Sequence, residues 1–186
     1  MQIQELILTN FRKFNNFKIK FSNITVIAGK NGSGKTSILE AIYTLSRGYS
    51  FNTRQINPLI NIGESEFTIF AKLNNNNNNN THLIGLAKSS AGNTKRRLDH
   101  ENLNSQAPIL DKLPVLAITA QRFNLLKQPA SIRRNLLDWG VYYQEPGFIK
   151  NTMLMIKTLK KIKATILKLT VRPCAWPNKV EFLRKT

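Results

Sequence analysis

Residues 24–48, ITVIAGKNGSGKTSILEAIYTLSRG, constrain this chain more than any other stretch. An apolar run with Ile24, Val26, Ile27 and Ala28 leads into Gly29, Lys30, Asn31, Gly32, Ser33, Gly34, Lys35 and Thr36. Ile38, Ile42 and Leu45 follow at helical spacing, and Gly48 closes the segment. G-x-x-x-x-G-K-T between a predicted strand and a predicted helix is the setting in which a glycine-rich loop cradles phosphate. The glycines let backbone N–H groups converge where side chains would block them, and the helix N-terminus adds the positive end of its dipole. Lys35 would then reach the β and γ phosphates and Thr36 would hold Mg²⁺. The plain alternative, a glycine-rich turn with no ligand, does not require the lysine and threonine that follow.

With 186 residues and 41% apolar content, the chain is long enough for one packed domain or one and a half. It carries no apolar run of membrane-spanning length and no secretory leader at its start, so a cytoplasmic protein without membrane contact is expected. A single cysteine, Cys174, leaves no internal disulfide or multi-cysteine zinc site to build. The net charge of +18, from 28 Lys and Arg against 10 Asp and Glu, attracts polyanions and makes nucleic acid a natural partner. Abundant Lys, Asn and Ile also follow from an A+T-rich coding sequence, and charge alone does not choose between these explanations.

Ile3, Leu6, Ile7 and Leu8 read as a strand, residues 10–14 as a turn, and Phe17, Ile19 and Phe21 as a second strand alternating with lysines. A hairpin thus precedes the phosphate-loop strand. Two further alternating strands are read from Phe67, Ile69 and Ala71 and from Leu83, Gly85 and Ala87, around a hairpin loop lengthened by the seven asparagines of residues 74–80. Residues 89–93 read as a turn, followed by three adjacent cations, Lys95, Arg96 and Arg97, that are candidates for DNA phosphate or a solvated hairpin end. Residues 114–119 read as a buried strand, and residues 131–139 as a helix with Ser131 at its N-cap. Arg133 and Arg134 diverge by about 100° around that helix. They either orient it or face a polyanion. Met155, Leu159, Ile162, Ile166 and Leu169 repeat at spacings of four and three, the stripe of a long amphipathic helix with a basic opposite side.

Leu8-Thr9-Asn10-Phe11-Arg12-Lys13-Phe14, the phosphate loop and Ser37-Ile38-Leu39-Glu40-Ala41-Ile42-Tyr43 together resemble the head domain of the RecF and SMC branch of ABC-type ATPases. Gly48-Tyr49-Ser50-Phe51-Asn52-Thr53, Arg133-Arg134-Asn135-Leu136-Leu137-Asp138-Trp139-Gly140 and Glu145-Pro146-Gly147-Phe148 are similar to segments of the RecF family itself. The resemblance implies an α/β fold: the N-terminal half of a P-loop NTPase of the ABC head type, with leading antiparallel hairpins and then the start of a helical lobe. Residues 1–148 would form the partial head, and residues 149–186 a basic amphipathic helix and tail. It implies ATP and Mg²⁺ as cofactors, and makes Gln121 a counterpart of the glutamine that senses Mg²⁺ and the γ-phosphate. It also implies homodimerisation on single-stranded or gapped DNA, recombination mediator proteins as partners, and a role in replication, repair and the SOS response.

Turnover in such heads requires a signature motif, an apolar strand ending in the Walker B aspartate, a following glutamate and a switch histidine. No four apolar residues precede an Asp-Glu pair anywhere in the sequence, and both histidines, His82 and His100, fall in the middle region. The expectation is a RecF-like head shortened to its first half, binding ATP without hydrolysing it. The alternative from another class is a basic nucleic-acid-binding fragment with no nucleotide chemistry. Lys35→Ala separates the two, because a charge-held binder keeps its salt-sensitive affinity when the phosphate loop is broken.

Overall fold

The computed structural model describes residues 1–74 and 80–119, together with Ala130, Arg134, Gly140 and Val141. The chain divides into two compact units, Met1–Ile118 and Thr119–Thr186. Within the first, six strands form one sheet in the order β2-β1-β3-β4-β5-β6, and every pair is antiparallel.

The leading hairpin is made of β1 (Gln2–Phe11) and β2 (Phe14–Lys20). Its register sets Leu6 against Ile19 and Leu8 against Phe17 on the core side, with Ile7 against Lys18 on the other. Period-two alternation in the sequence therefore translates directly into an inner and an outer face. β3 (Glu66–Asn74) and β4 (Thr81–Ser89) flank the asparagine run, and β5 (Thr94–Leu98) and the short β6 (Glu101–Asn102) complete the sheet. The turn expected at residues 89–93 is present, with Gly92 N–H donating to Ser89 O at 3.0 Å.

α1 (Lys35–Arg47) lies on the inner face, where Ile38, Ala41 and Leu45 join Leu6, Leu8, Phe67, Ile69, Ile84 and Leu86 in one core. Gly48 ends the helix in the left-handed region at φ 78°, and its N–H donates to Thr44 O at 2.8 Å, a C-cap that costs a glycine nothing. The carbonyls of Leu45 and Ser46 accept from Gln106 Nε2 at 2.7 and 3.0 Å, so a side chain just before α2 (Ala107–Lys112) satisfies the end of α1. Phe11 and Phe67 close the core beneath the first hairpin, edge to face at 5.1 Å.

Three readings of the sequence are corrected. In β4 the buried set is Ile84 and Leu86, and Leu83, Gly85 and Ala87 lie on the opposite face. The cross-strand pairs Ala71 with Ile84 and Ile69 with Leu86 decide this, because a one-residue change of register exchanges the two faces. Residues 24–28 form no strand: Ile24 and Val26 are 85% and 86% exposed, and only Ile27 packs against the core. Residues 114–119 likewise form no strand, with Val115 against the core and Ile118 75% exposed. Both runs have strand-like composition. A strand exists only where a neighbour takes up its N–H and C=O groups, and the antiparallel sheet of the described residues includes neither run. The helix expected at 149–170 lies outside the described residues.

His82 belongs to the framework and not to a nucleotide switch. Its Nδ1 lies 2.5 Å from Asp99 Oδ2, and Asp99 Oδ1 accepts the Leu83 N–H at 2.8 Å, which ties the end of β5 back to β4. Partial burial alone would raise the Asp99 carboxyl. The hydrogen bonds from His82 and Leu83, with the charges of His82 and Lys112, outweigh it and hold the group below the usual carboxylate range. A carboxyl depressed in the folded state contributes stability that is complete above the unfolded value of about 4 and lost as pH falls through the lower folded value. Urea midpoints measured between pH 5 and pH 2 should therefore fall more steeply for the wild type than for Asp99→Asn. Parallel curves would show that this contact adds nothing to acid sensitivity.

Candidate phosphate-binding site

The phosphate loop sits between the unpaired run 24–28 and the first turn of α1. Gly34 is the helix N-cap at φ 96°, and no side chain caps the first N–H groups of α1. Those donors and the dipole end of the helix thus stay open toward the loop. A Cβ on Gly34 would come within 2.7 Å of both Lys13 Cε and Phe14 Cζ, so the β1–β2 turn rests directly on this glycine. Backbone conformation and close approach both require glycine here.

Lys35 Nζ donates to Gly29 O at 2.8 Å and to Lys30 O at 2.9 Å. The ammonium is folded over its own loop, held by neutral carbonyls that an anionic phosphate oxygen readily replaces. From the other side Lys13 Nζ donates to Gly32 O at 2.8 Å. A cavity of about 790 Å³ opens here, within the range of small-molecule sites. It is lined by the loop and the first turn of α1, by Arg12 and Lys13, and by Pro58, Ile60, Asn61 and Ile62. Cations and apolar side chains both contribute to the lining, and Ile62 is 99% exposed.

Beneath the cavity, an ion pair sets the geometry. Arg12 donates from Nε and Nη2 to Glu40 Oε2 and Oε1 at 2.9 and 2.8 Å, a two-point pairing, and from Nη1 to Pro58 O at 2.7 Å. Ser50 Oγ donates to the same carboxylate, and its oxygen accepts the Asn52 N–H at 2.9 Å. Glu40 is 1% exposed on α1, so its charge is stable there only because these partners satisfy it. Sequence patterning misses this carboxylate, since Leu39 beside it is 54% exposed while the acid is inside. The available signal was an acidic residue in the loop's own helix together with an arginine in the preceding turn.

The loop fits ATP through Lys35, the glycine backbone and the open end of α1. Thr36 is exposed on the cavity wall, and among the described residues no group of three or more His, Cys, Asp or Glu is placed to hold a metal. A Mg²⁺ there would depend on the Thr36 hydroxyl and on phosphate oxygens, the usual environment for this ion. Gln121 and Arg133 lie outside the described residues, and Arg134 is helical and exposed in the second unit. The run Lys95 to Arg97 is a strand whose side chains alternate. Lys95 and Arg97 are exposed on the outer face, whereas Arg96 points inward and donates from Nε to Gln106 Oε1 at 3.0 Å. The structure does not bring these three cations onto one surface.

Comparison with known proteins gives a consistent result. A family model described as an AAA ATPase domain matches residues 1–87. The DNA replication and repair protein RecF of Psychromonas ingrahamii is 36% identical over 167 residues, covering 89% of this chain and 46% of that protein. The chain spans about half the length of the curated relatives it matches. Among solved structures, the recombination mediator protein RecF with ATP aligns with a TM-score of 0.78 at 23% identity, over 91% of this chain and 46% of that one. An SMC ATPase from a study of ATP-driven dimerisation aligns with a TM-score of 0.57 at 24% identity, over 74% of this chain and 98% of that one. The last two similarities establish the fold.

Removing one partner of a buried ion pair costs about 3–5 kcal/mol, and the 26% exposure of the Arg12 side chain puts Glu40→Ala toward the lower end. Chemical denaturation should show a loss of about 3 kcal/mol for Glu40→Ala. A loss under about 1 kcal/mol would mean that water replaces the carboxylate at Arg12 without penalty.

Proposed function

Because this chain is a homologue of the RecF proteins over about half their length, we propose that it binds Mg-ATP in a RecF-like role in DNA replication and repair. Gly29, Lys30, Asn31, Gly32, Ser33, Gly34, Lys35 and Thr36 form the phosphate site, with Thr36 as the protein ligand to Mg²⁺. The observation that carries this reading is Lys35 Nζ, held at 2.8 and 2.9 Å by loop carbonyls beside the uncapped N-terminus of α1. Nucleotide binding by these residues is the activity we assign. In the relatives' setting its partners would be single-stranded or gapped DNA, recombination mediator proteins and a second copy of the chain, in the cytoplasm and under SOS conditions. Outward-facing Lys95 and Arg97, with Arg133 and Arg134, are the candidate DNA contacts, supported by the net charge of +18.

A ligand that binds only the folded state stabilises it by about 2.7 kcal/mol at a hundredfold excess over Kd, a rise of roughly 5–10 °C in Tm for a chain of this size. Thermal melts with and without Mg-ATP should show that rise for the wild type and none for Lys35→Ala. Equal melts for the two proteins, with salt-sensitive DNA binding retained in both, would replace the nucleotide reading with that of a charge-held nucleic-acid binder.

A further inference from the structure

Lys13 is exposed in the two-residue turn between β1 and β2, next to Arg12, whose φ of 54° lies in the left-handed region. Its stem crosses Gly34, where a Cβ would stand 2.7 Å from Lys13 Cε, and its Nζ lies 5.9 Å from the centre of the Phe14 ring. The ammonium ends 2.8 Å from Gly32 O and forms part of the cavity wall.

The three cations of this cavity differ in what their charge is engaged with. Arg12 faces a buried carboxylate with two of its nitrogens and a carbonyl with the third, so its charge is neutralised and three of its five donors are taken. Lys35 is bound by two carbonyls. Lys13 has one carbonyl partner, and the ion pairs of the described residues do not include it. An ammonium carries three donors, so Lys13 has both uncompensated charge and donors left for an anion. The carbonyl bond keeps it beside the loop in the meantime. Lys13 and Lys35 also reach the loop from different elements, one from the sheet's leading hairpin and the other from α1.

We infer that Lys13 is a second phosphate-binding cation of this site, contributed by the β1–β2 turn, which grips the phosphate chain of a nucleoside triphosphate together with Lys35. The inference rests on the nucleotide reading above. Entry of the phosphate chain exchanges the bond to Gly32 O for a charge-assisted bond to phosphate, which needs only rotation of an exposed side chain. Occupancy of the loop is thereby coupled to the hairpin that begins the sheet.

Titration calorimetry on the full chain with Mg-ATP and with inorganic triphosphate tests this, using wild type, Lys13→Gln, Lys13→Arg and Lys35→Ala. One charge-assisted bond at an exposed site corresponds to about a tenfold change in affinity. Lys13→Gln should weaken both ligands by about that factor, with an unchanged melt in the absence of ligand. Lys13→Arg should stay within about threefold of wild type. Wild-type affinity in Lys13→Gln overturns the inference, as does a loss for ATP that spares inorganic triphosphate, or an arginine variant as weak as the glutamine one. If Lys35→Ala abolishes binding in the same experiment, the nucleotide reading stands and only the role of Lys13 falls. A folded wild type that binds neither ligand removes both.

Discussion

The Arg12–Glu40 pair is the interaction on which the rest of the site depends. Arg12 lies in the turn of the leading hairpin, Glu40 lies in the helix that follows the phosphate loop, and their two-point contact joins the two across 28 residues of sequence. The same arginine bonds the carbonyl of Pro58, and its own N–H donates to Leu59 O at 2.7 Å. Three segments that contribute cavity walls are thus tied to one guanidinium. Such a pair adds little net stability compared with a well-packed apolar replacement, but a buried carboxylate accepts few alternative arrangements. Its value here is positional: it sets where the first turn of α1 stands relative to the sheet.

That placement explains the features around the loop. With α1 drawn toward the hairpin turn, Gly34 has no room for a side chain, and Lys13 and Phe14 come to rest on the loop backbone. The energetic foundation is ordinary core packing, in which Leu6, Leu8, Phe67, Ile69, Ile84 and Leu86 exclude water beneath Ile38, Ala41 and Leu45. At about 25 cal/mol for each Å² of apolar surface removed from water, this core supplies the driving force. The polar pair selects which arrangement of that core is adopted. On the opposite face of the sheet Lys18, Lys95 and Arg97 are exposed.

The RecF-like part of the head was legible from local patterns wherever a local rule was sufficient. The apolar run of β1, alternation in β2 and β3, the turn residues near Gly92, the helical spacing of Ile38, Ile42 and Leu45 and the stop at Gly48 each reflect physics that acts within a few residues. The runs 24–28 and 114–119 were misread for a reason that also concerns range. Their composition is that of strands, but pairing is a property of two segments, and neither enters the antiparallel sheet. In β4 the strand was read from Leu83, Gly85 and Ala87, whereas the buried residues are Ile84 and Leu86. Both sets alternate and both are largely apolar, so only registration against β3 separates them.

By itself, then, the sequence determined the phosphate loop, its lysine and threonine, the helix that carries them and the hairpin in front. Each is specified by backbone conformational preference, periodicity or capping chemistry within a short window. Tertiary structure alone decided that Glu40 is inside while Leu39 is outside, that Arg96 turns away from Lys95 and Arg97, and that Lys13 stands over Gly32. The reason is the same in all three cases. A polar or charged group settles where a partner for its hydrogen bonds is at hand, and those partners, Arg12 and Ser50 for Glu40, Gln106 for Arg96 and the loop carbonyl for Lys13, are brought within reach only by folding.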